Sequence, residues 1–247
     1  PDFNVKLAEQ DYYISMGEGA ELLADELEIS RAEQEEFSFS SHNKAVAARD
    51  AGKFDNEIIP ITLEDGTVID KDSGPRNPDK DKIKSLNPAF RADGTVTAAT
   101  SSPFSIGASA MLITSEKFAN EHGLKIRAFV EGRAVAGVNW KMFGSGPVPA
   151  TEKALEKAGL TMDDIDAVEL NEAFAAQALY CIKKSNWDIN KVNLNGGAVA
   201  LGHPLGISGT RIITTLLNVL EQQDKSMGLA TMCVGTGQGI TTIIKRG

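Results

Sequence analysis

The chain holds 247 residues, 34 of them Asp or Glu against 25 Lys or Arg, for a formal net charge of −9. That length supports a sizeable buried core, and the carboxylate surplus would repel phosphate backbones and excludes a general nucleic-acid binder. The two cysteines, Cys181 and Cys233, exclude a disulfide framework and a zinc cage and point to a reducing, cytoplasmic setting.

The chain opens on PDFNVKL with no initiator Met, as expected of a processed, truncated or incompletely represented protein, and no signal-peptide pattern opens it. From Glu18 to Ala51 apolar residues recur at helical spacing and Ser30 stands three before Glu33 as a capping box. Two amphipathic helices broken near Ile29 are predicted. EIIPITLEDGTVI reads as two strands around an Asp-Gly turn. The Pro-, Gly-, Asp- and Lys-rich stretch DKDSGPRNPDKDKIKSLNPAF reads as an exposed loop. A helix is then predicted around Ser105 to Gly107, a strand over ASAMLIT and a helix over SEKFANEHG, with a boundary near Lys125.

Beyond that boundary strands and helices alternate: strand IRAFVEGRAVAGV, helix VPATEKALEKAG, strand DAVELN, helix EAFAAQALYCIKK, strand KVNLNG, helix ISGTRIITTLLNVLEQ, and the closing strands GLATMCV and GITTIIK. This alternation predicts an α/β layer domain. Apolar runs such as IITTLL and ITTII fall far short of the roughly 20 residues of a membrane span.

Three stretches carry chemistry at element boundaries. In VELNEAFAAQ, Asn171 and Glu172 end a strand and open a helix, where Asn serves either as a helix cap or as an amide that holds water or polarises a carbonyl. In NGGAVALGHPLGISGTR, His203 sits in a Gly-rich turn before a helix, a setting that favours catalysis over packing. The glycines there allow close backbone approach to a ligand, but the Gly-Lys-Ser/Thr ending of a P-loop is missing. Cys233 ends a strand and is followed by Gly235, Gly237 and Gly239; it reads either as a small buried hydrophobe or as an acid/base beside backbone amides. Asn171, His203 and Cys233 lie about thirty residues apart, each expected at a strand end, and such ends gather at one sheet edge. His42 and His122 are expected on helices in solvated or packing roles, and Cys181 is expected to pack inside its helix.

Together NEAFAAQ, NLNGGAVALGHPLGISGTR and GLATMCVGTGQG resemble the signatures of the thiolase family, especially 3-ketoacyl-CoA thiolases and acetyl-CoA acetyltransferases of fatty acid β-oxidation. The resemblance extends upstream, since the stretch from Met16 to Ile61 looks like the thiolase loop region and GTVTAATSS like the return from it. It implies an α/β, layered αβαβα sandwich, of which this chain would hold a loop region covering coenzyme A (1–93), the tail of the N-terminal half (94–124) and the C-terminal half (125–247). The family's acyl-accepting Cys would belong to the missing start, so neither Cys181 nor Cys233 stands in its context. By the resemblance His203 would activate that nucleophile and help bind the thioester oxygen, Asn171 would hold a water in the same oxyanion site, and Cys233 would exchange the proton at the α-carbon of acetyl-CoA. The amide of Gly235 would serve the other oxyanion site and Ser102 would contact the pantetheine arm. Coenzyme A and acyl-CoA would be substrates, with no covalently bound cofactor and no metal, and the complete enzyme would be a homo-oligomer, dimer or tetramer.

The sequence departs from the family at Ile106, Gly107 and Ala108, where many members read Asp-Gly-Ala, and at Ser15, where some carry His. The chain alone is therefore expected to be a thiolase acyltransferase lacking its nucleophile, with negligible turnover. The rival readings are a truncated, non-catalytic coenzyme A-binding or scaffold protein and a Cys233–His203 hydrolase pair.

Overall fold

The computed structural model describes residues 3–247. In chain order its helices and strands are α1 (Val5–Ala8), α2 (Met16–Glu26), α3 (Arg31–Asp50), β1 (Ile61–Thr62), β2 (Val68–Ile69), α4 (Lys80–Lys84) and α5 (Glu116–Glu121). There follow β3 (Ala128–Gly137), α6 (Pro147–Ala158), β4 (Ala167–Leu170), α7 (Ala175–Lys184), α8 (Ala198–Leu201), α9 (Ser208–Gln222), β5 (Met227–Val234) and β6 (Gln238–Arg246). Among the described residues no helix is long and apolar enough to cross a membrane.

The main sheet has the order β3-β6-β5-β4, with β4 parallel to β5 and the other pairs antiparallel. Successive side chains of a strand point to opposite faces, and two separate apolar clusters show the consequence. Val168, Leu170, Leu229 and Ile243 join the cluster formed with α2, α6 and α7. Ala167, Ala230 and Ile244 pack instead on Ile212, Leu216 and Leu220 of α9. Helices thus cover both faces of a mixed sheet, and β4, next to its parallel partner, is buried along its whole length.

The break between α2 and α3 falls where it is predicted. Ser30 caps α3, its hydroxyl accepting from the Glu33 amide at 3.3 Å while Glu33 accepts from the Ser30 amide at 2.8 Å, the reciprocal bonding of a capping box. The Asp-Gly hairpin exists as the two-residue pair β1 and β2, and the loop after it carries the short helix α4, capped by Asp79.

Two expectations between α4 and β3 fail. Residues 105–107 are not helical, and residues 108–114 form no strand, because a strand needs a neighbour to receive its backbone hydrogen bonds and none lies beside this segment among the described residues. Leu112 and Ile113 stay exposed. KVNLNG also forms no strand beyond a single bridge between Val192 and Val168, since the amide of Asn193 takes the place of a ladder partner for Leu170.

Candidate functional site

The parallel pairing of β4 and β5 places the carboxyl ends of both strands at one edge, and the backbone N–H of Asn171 extends the ladder by donating to Thr231 O at 3.0 Å. Asn171 is not a helix cap, because α7 begins at Ala175 behind Phe174. Its side chain is fully buried, yet neither Oδ1 nor Nδ2 has a partner. Leaving such a buried amide unpaired costs about 1–3 kcal/mol, so it has both donor and acceptor capacity open to a water or a ligand.

Glu172, the next residue, is buried and fully engaged. Its Oε2 accepts from the Ser41 hydroxyl at 2.7 Å and the Val199 amide at 3.1 Å, and its Oε1 accepts from Asn193 Nδ2 at 2.7 Å. Burial nevertheless raises its pKa, with those donors working in the opposite direction. This carboxyl ties together α3, the end of β4 and the Gly-rich loop. A Cβ at Gly197 would strike the Glu172 carboxyl, so that glycine allows the close approach.

His203 follows α8 rather than a strand, which corrects the expectation of three strand ends. It is half-buried, its Nδ1 stands 2.6 Å from Ser208 Oγ at the start of α9, and burial followed by the charge of Arg211 lowers its pKa. The ring is therefore biased toward its neutral, basic form. Arg211 also faces Glu169 of β4, which is buried with Arg211 Nη1 3.8 Å from its carboxyl. That separation is too long for a charge-assisted hydrogen bond, so desolvation prevails and pushes the Glu169 pKa to about 8.

Cys233 pairs with Gly239 near the end of β5 and is buried, and burial pushes its thiol up to about 12. Gly235 lies exposed in the three-residue connection to β6, where Thr236 and Gly237 take left-handed φ values of 68° and 90°. The Ser102 amide donates to Ala173 O at 3.0 Å, which fixes it beside the segment that carries Asn171. The loop bearing His203 leans on the same stretch, since a Cβ at Gly107 would come within 3.1 Å of Pro204. At the start of α9, Gly209 faces Met232 of β5.

The backbone thus directs Asn171, Cys233 and Ser102 to one end of the sheet, with the His203 loop packed alongside. Among the described residues none of the Asn171, His203 and Cys233 side chains hydrogen-bonds to another. A cleft of about 340 Å³ between α3 and Val192 is lined by Ser41, Lys44, Glu172 and Asn193, and none of Asn171, His203 and Cys233 lines it. Cys181 packs as expected, fully buried with its Sγ donating to Gly144 O. His42 is buried rather than solvated, and His122 stacks on Phe118.

Sequence reasoning passed over Ser41, Asn193 and Ser208, the hydroxyls and amide that hold the site. Ser41 sits mid-helix and Asn193 lay within a stretch read as strand, so neither carried a local signal. Ser208 lay within a motif already quoted, five residues after His203.

Comparison with known proteins agrees with this architecture. The thiolase N-terminal domain matches residues 3–117 and the thiolase C-terminal domain residues 124–246. A 3-ketoacyl-CoA thiolase of Vibrio parahaemolyticus serotype O3:K6 is 53% identical over 244 residues, covering 94% of this chain and 61% of its own length. One from Psychrobacter sp. strain PRwf-1 is 51% identical, with 94% and 61% covered. Among solved structures, the Bacillus anthracis acetyl-CoA acetyltransferase superposes with a TM-score of 0.93 at 42% identity, over 95% of this chain and 60% of that one. Human mitochondrial 3-ketoacyl-CoA thiolase in complex with CoA gives 0.94 at 40% identity, over 98% and 62%. The chain spans about three fifths of the length of these relatives, and with two thiolase domain matches that together run through nearly all of it, the chain belongs to the thiolase family.

Proposed function

We propose that these 247 residues carry the acid/base and oxyanion-binding part of a thiolase that cleaves 3-ketoacyl-CoA with coenzyme A, or runs the reverse Claisen condensation of acetyl-CoA. The observation that carries this reading is the buried, unpartnered amide of Asn171 beside the end of β5, where Cys233 lies. An amide with free donor and acceptor suits a water or a developing oxyanion. In this reading residues 1–93 cover coenzyme A, 94–124 close the N-terminal half and 125–247 form the C-terminal half.

His203, kept neutral by burial, takes the proton of the acyl-accepting thiol and then donates to the thioester oxygen. Asn171 supports that oxygen through its amide or a water. Cys233 exchanges the proton at the α-carbon, a task suited to a thiol whose high pKa keeps its proton until a carbanion needs it. In the same reading the Gly235 amide, at the exposed turn, serves the second oxyanion position and Ser102 contacts the pantetheine arm. The human mitochondrial 3-ketoacyl-CoA thiolase solved in complex with CoA supports coenzyme A as the ligand.

The acyl-accepting nucleophile is neither Cys181, which packs in the core, nor Cys233, whose thiol burial holds protonated. The polypeptide of these residues alone is therefore a coenzyme A binder without turnover. Calorimetric titration with coenzyme A and with acetyl-CoA tests it: saturable binding of both is expected, Asn171→Leu should weaken acetyl-CoA, which carries the thioester oxygen, more than coenzyme A, and no binding overturns the reading. The hydrolase reading loses support from the same thiol, since a Cys–His nucleophile needs a depressed pKa.

A further inference from the structure

From hydrogen bonds that the catalytic reading does not use, we infer that Ser208 is a positioning residue that locks His203 in the tautomer protonated at Nδ1. The inference rests on the reading of His203 as a base. Ser208 Oγ lies 2.6 Å from His203 Nδ1 and 2.9 Å from the carbonyl oxygen of Pro204. A hydroxyl has one proton and two lone pairs. A carbonyl oxygen only accepts, so the Ser208 proton goes to Pro204. The Ser208 oxygen must then accept from His203, which requires Nδ1 to carry a proton. The reverse assignment would set two acceptor oxygens 2.9 Å apart with no proton between them.

The frame that imposes this choice is stiff. Ser208 is the first residue of α9 and is buried, and the Pro204 carbonyl also accepts from the Ile207 amide at 3.3 Å. A carbonyl has two lone pairs, so both bonds are satisfied together. Pro204 immediately follows His203, and its ring limits the backbone freedom of the turn.

The chemical consequence follows directly. With Nδ1 protonated, the neutral ring bears its lone pair at Nε2, the nitrogen turned away from Ser208. A thiol presented to Nε2 loses its proton there: the S–H bond breaks, an N–H bond forms, and a thiolate and an imidazolium result. The Nε2–H so created is then available to donate to a thioester oxygen, while Nδ1–H remains bonded to Ser208. The opposite tautomer would present an N–H to the thiol and could not accept its proton.

The test is long-range 1H–15N correlation of the histidine side chains in the uniformly labelled chain without ligand. Only three histidines occur, so a His203→Gln variant assigns the resonance. At pH 7.5 His203 should show a protonated Nδ1 and an unprotonated Nε2. Ser208→Ala should shift the population toward Nε2–H, and Ser208→Thr, which keeps the hydroxyl, should restore the original pattern. A wild-type His203 protonated at Nε2, or a Nδ1–H form unchanged by Ser208→Ala, overturns the inference. The wild-type spectrum decides even if Ser208→Ala fails to fold. No turnover or ligand enters the measurement, so a failed coenzyme A titration would count against the function and leave this result standing.

Discussion

Asn193 Nδ2 lies 2.7 Å from Glu172 Oε1 and 2.8 Å from the carbonyl of Leu170, while Asn193 Oδ1 accepts from the Leu170 amide at 2.8 Å. One buried amide therefore acts as a ladder partner for the last residue of β4 and as an anchor for the carboxyl that follows it. Asn171 stands between the two and inherits its placement from them.

Asn193→Ala removes these three bonds and leaves the Leu170 amide and the Glu172 oxygen short of partners. Each orphaned buried group costs about 1–3 kcal/mol, so urea denaturation at pH 7.5 should show a loss of about 2–4 kcal/mol with an unchanged slope. A loss below 0.5 kcal/mol, within the range of surface substitutions, would show that the network does not hold the strand end.

Asn171→Leu should behave in the opposite way. Its amide is buried without partners, so an apolar side chain of similar size removes an unsatisfied group instead of creating one. Stability should stay level or rise in the same denaturation series, while acetyl-CoA affinity falls. Residues serving a site at the expense of stability show this trade, and a destabilisation like that of Asn193→Ala would mean that Asn171 is structural.

Thiol reactivity follows thiolate content. Burial holds both cysteines well above the ordinary thiol range, Cys233 at about 12. Iodoacetamide at pH 7.5 should leave the native chain unlabelled over minutes, and two labels should appear by intact mass only in denaturant. Rapid single labelling at Cys233 would revive the hydrolase reading.

The pH dependence of stability has two opposed parts. Burial lowers His42 from 6.5 to about 4. Its contribution is fully present above pH 6.5 and is lost as pH falls through 4, because the unfolded chain takes up the proton first. Burial raises Glu169 from 4.5 to about 8, so its contribution is present below pH 4.5 and lost as pH rises through 8. Melting curves between pH 4.5 and 8.5 should therefore show Glu169→Gln flattening the alkaline decline and leaving the acid side intact, with His42→Phe doing the reverse. An alkaline decline unchanged by Glu169→Gln would mean that its carboxyl is ionised in the fold.

Much of this was legible in the sequence where the signal is local. The Ser30–Glu33 box, the helical spacing before and after it, and the β5–β6 hairpin around Gly235 to Gly237 depend on residues close in sequence, and all form as predicted. The helix expected at Ser105 to Gly107 and the strand expected over residues 108–114 both failed, because apolar alternation alone makes no strand without a neighbour, and none pairs with this segment among the described residues. Asn193 misled because a side-chain amide there makes the bonds that a backbone would make in a strand. Of the residues proposed for the site, Asn171, Cys233 and Ser102 lie on segments that strand pairing and the Ser102 amide bond bring to one end of the sheet. Its supports were hidden, since Ser41 reaches Glu172 across 131 positions of chain and no periodicity reports such a contact.

Thiolysis of acetoacetyl-CoA by the 247-residue polypeptide, with intact mass recorded on the same sample, bears on the proposed division of labour more than any other experiment. No turnover, together with saturable coenzyme A binding and a mass matching Pro1 to Gly247, is the expected result. Rapid thiolysis at that mass would contradict it, because Cys233 would then be forming the covalent bond that the structure withholds from a thiol held protonated by burial.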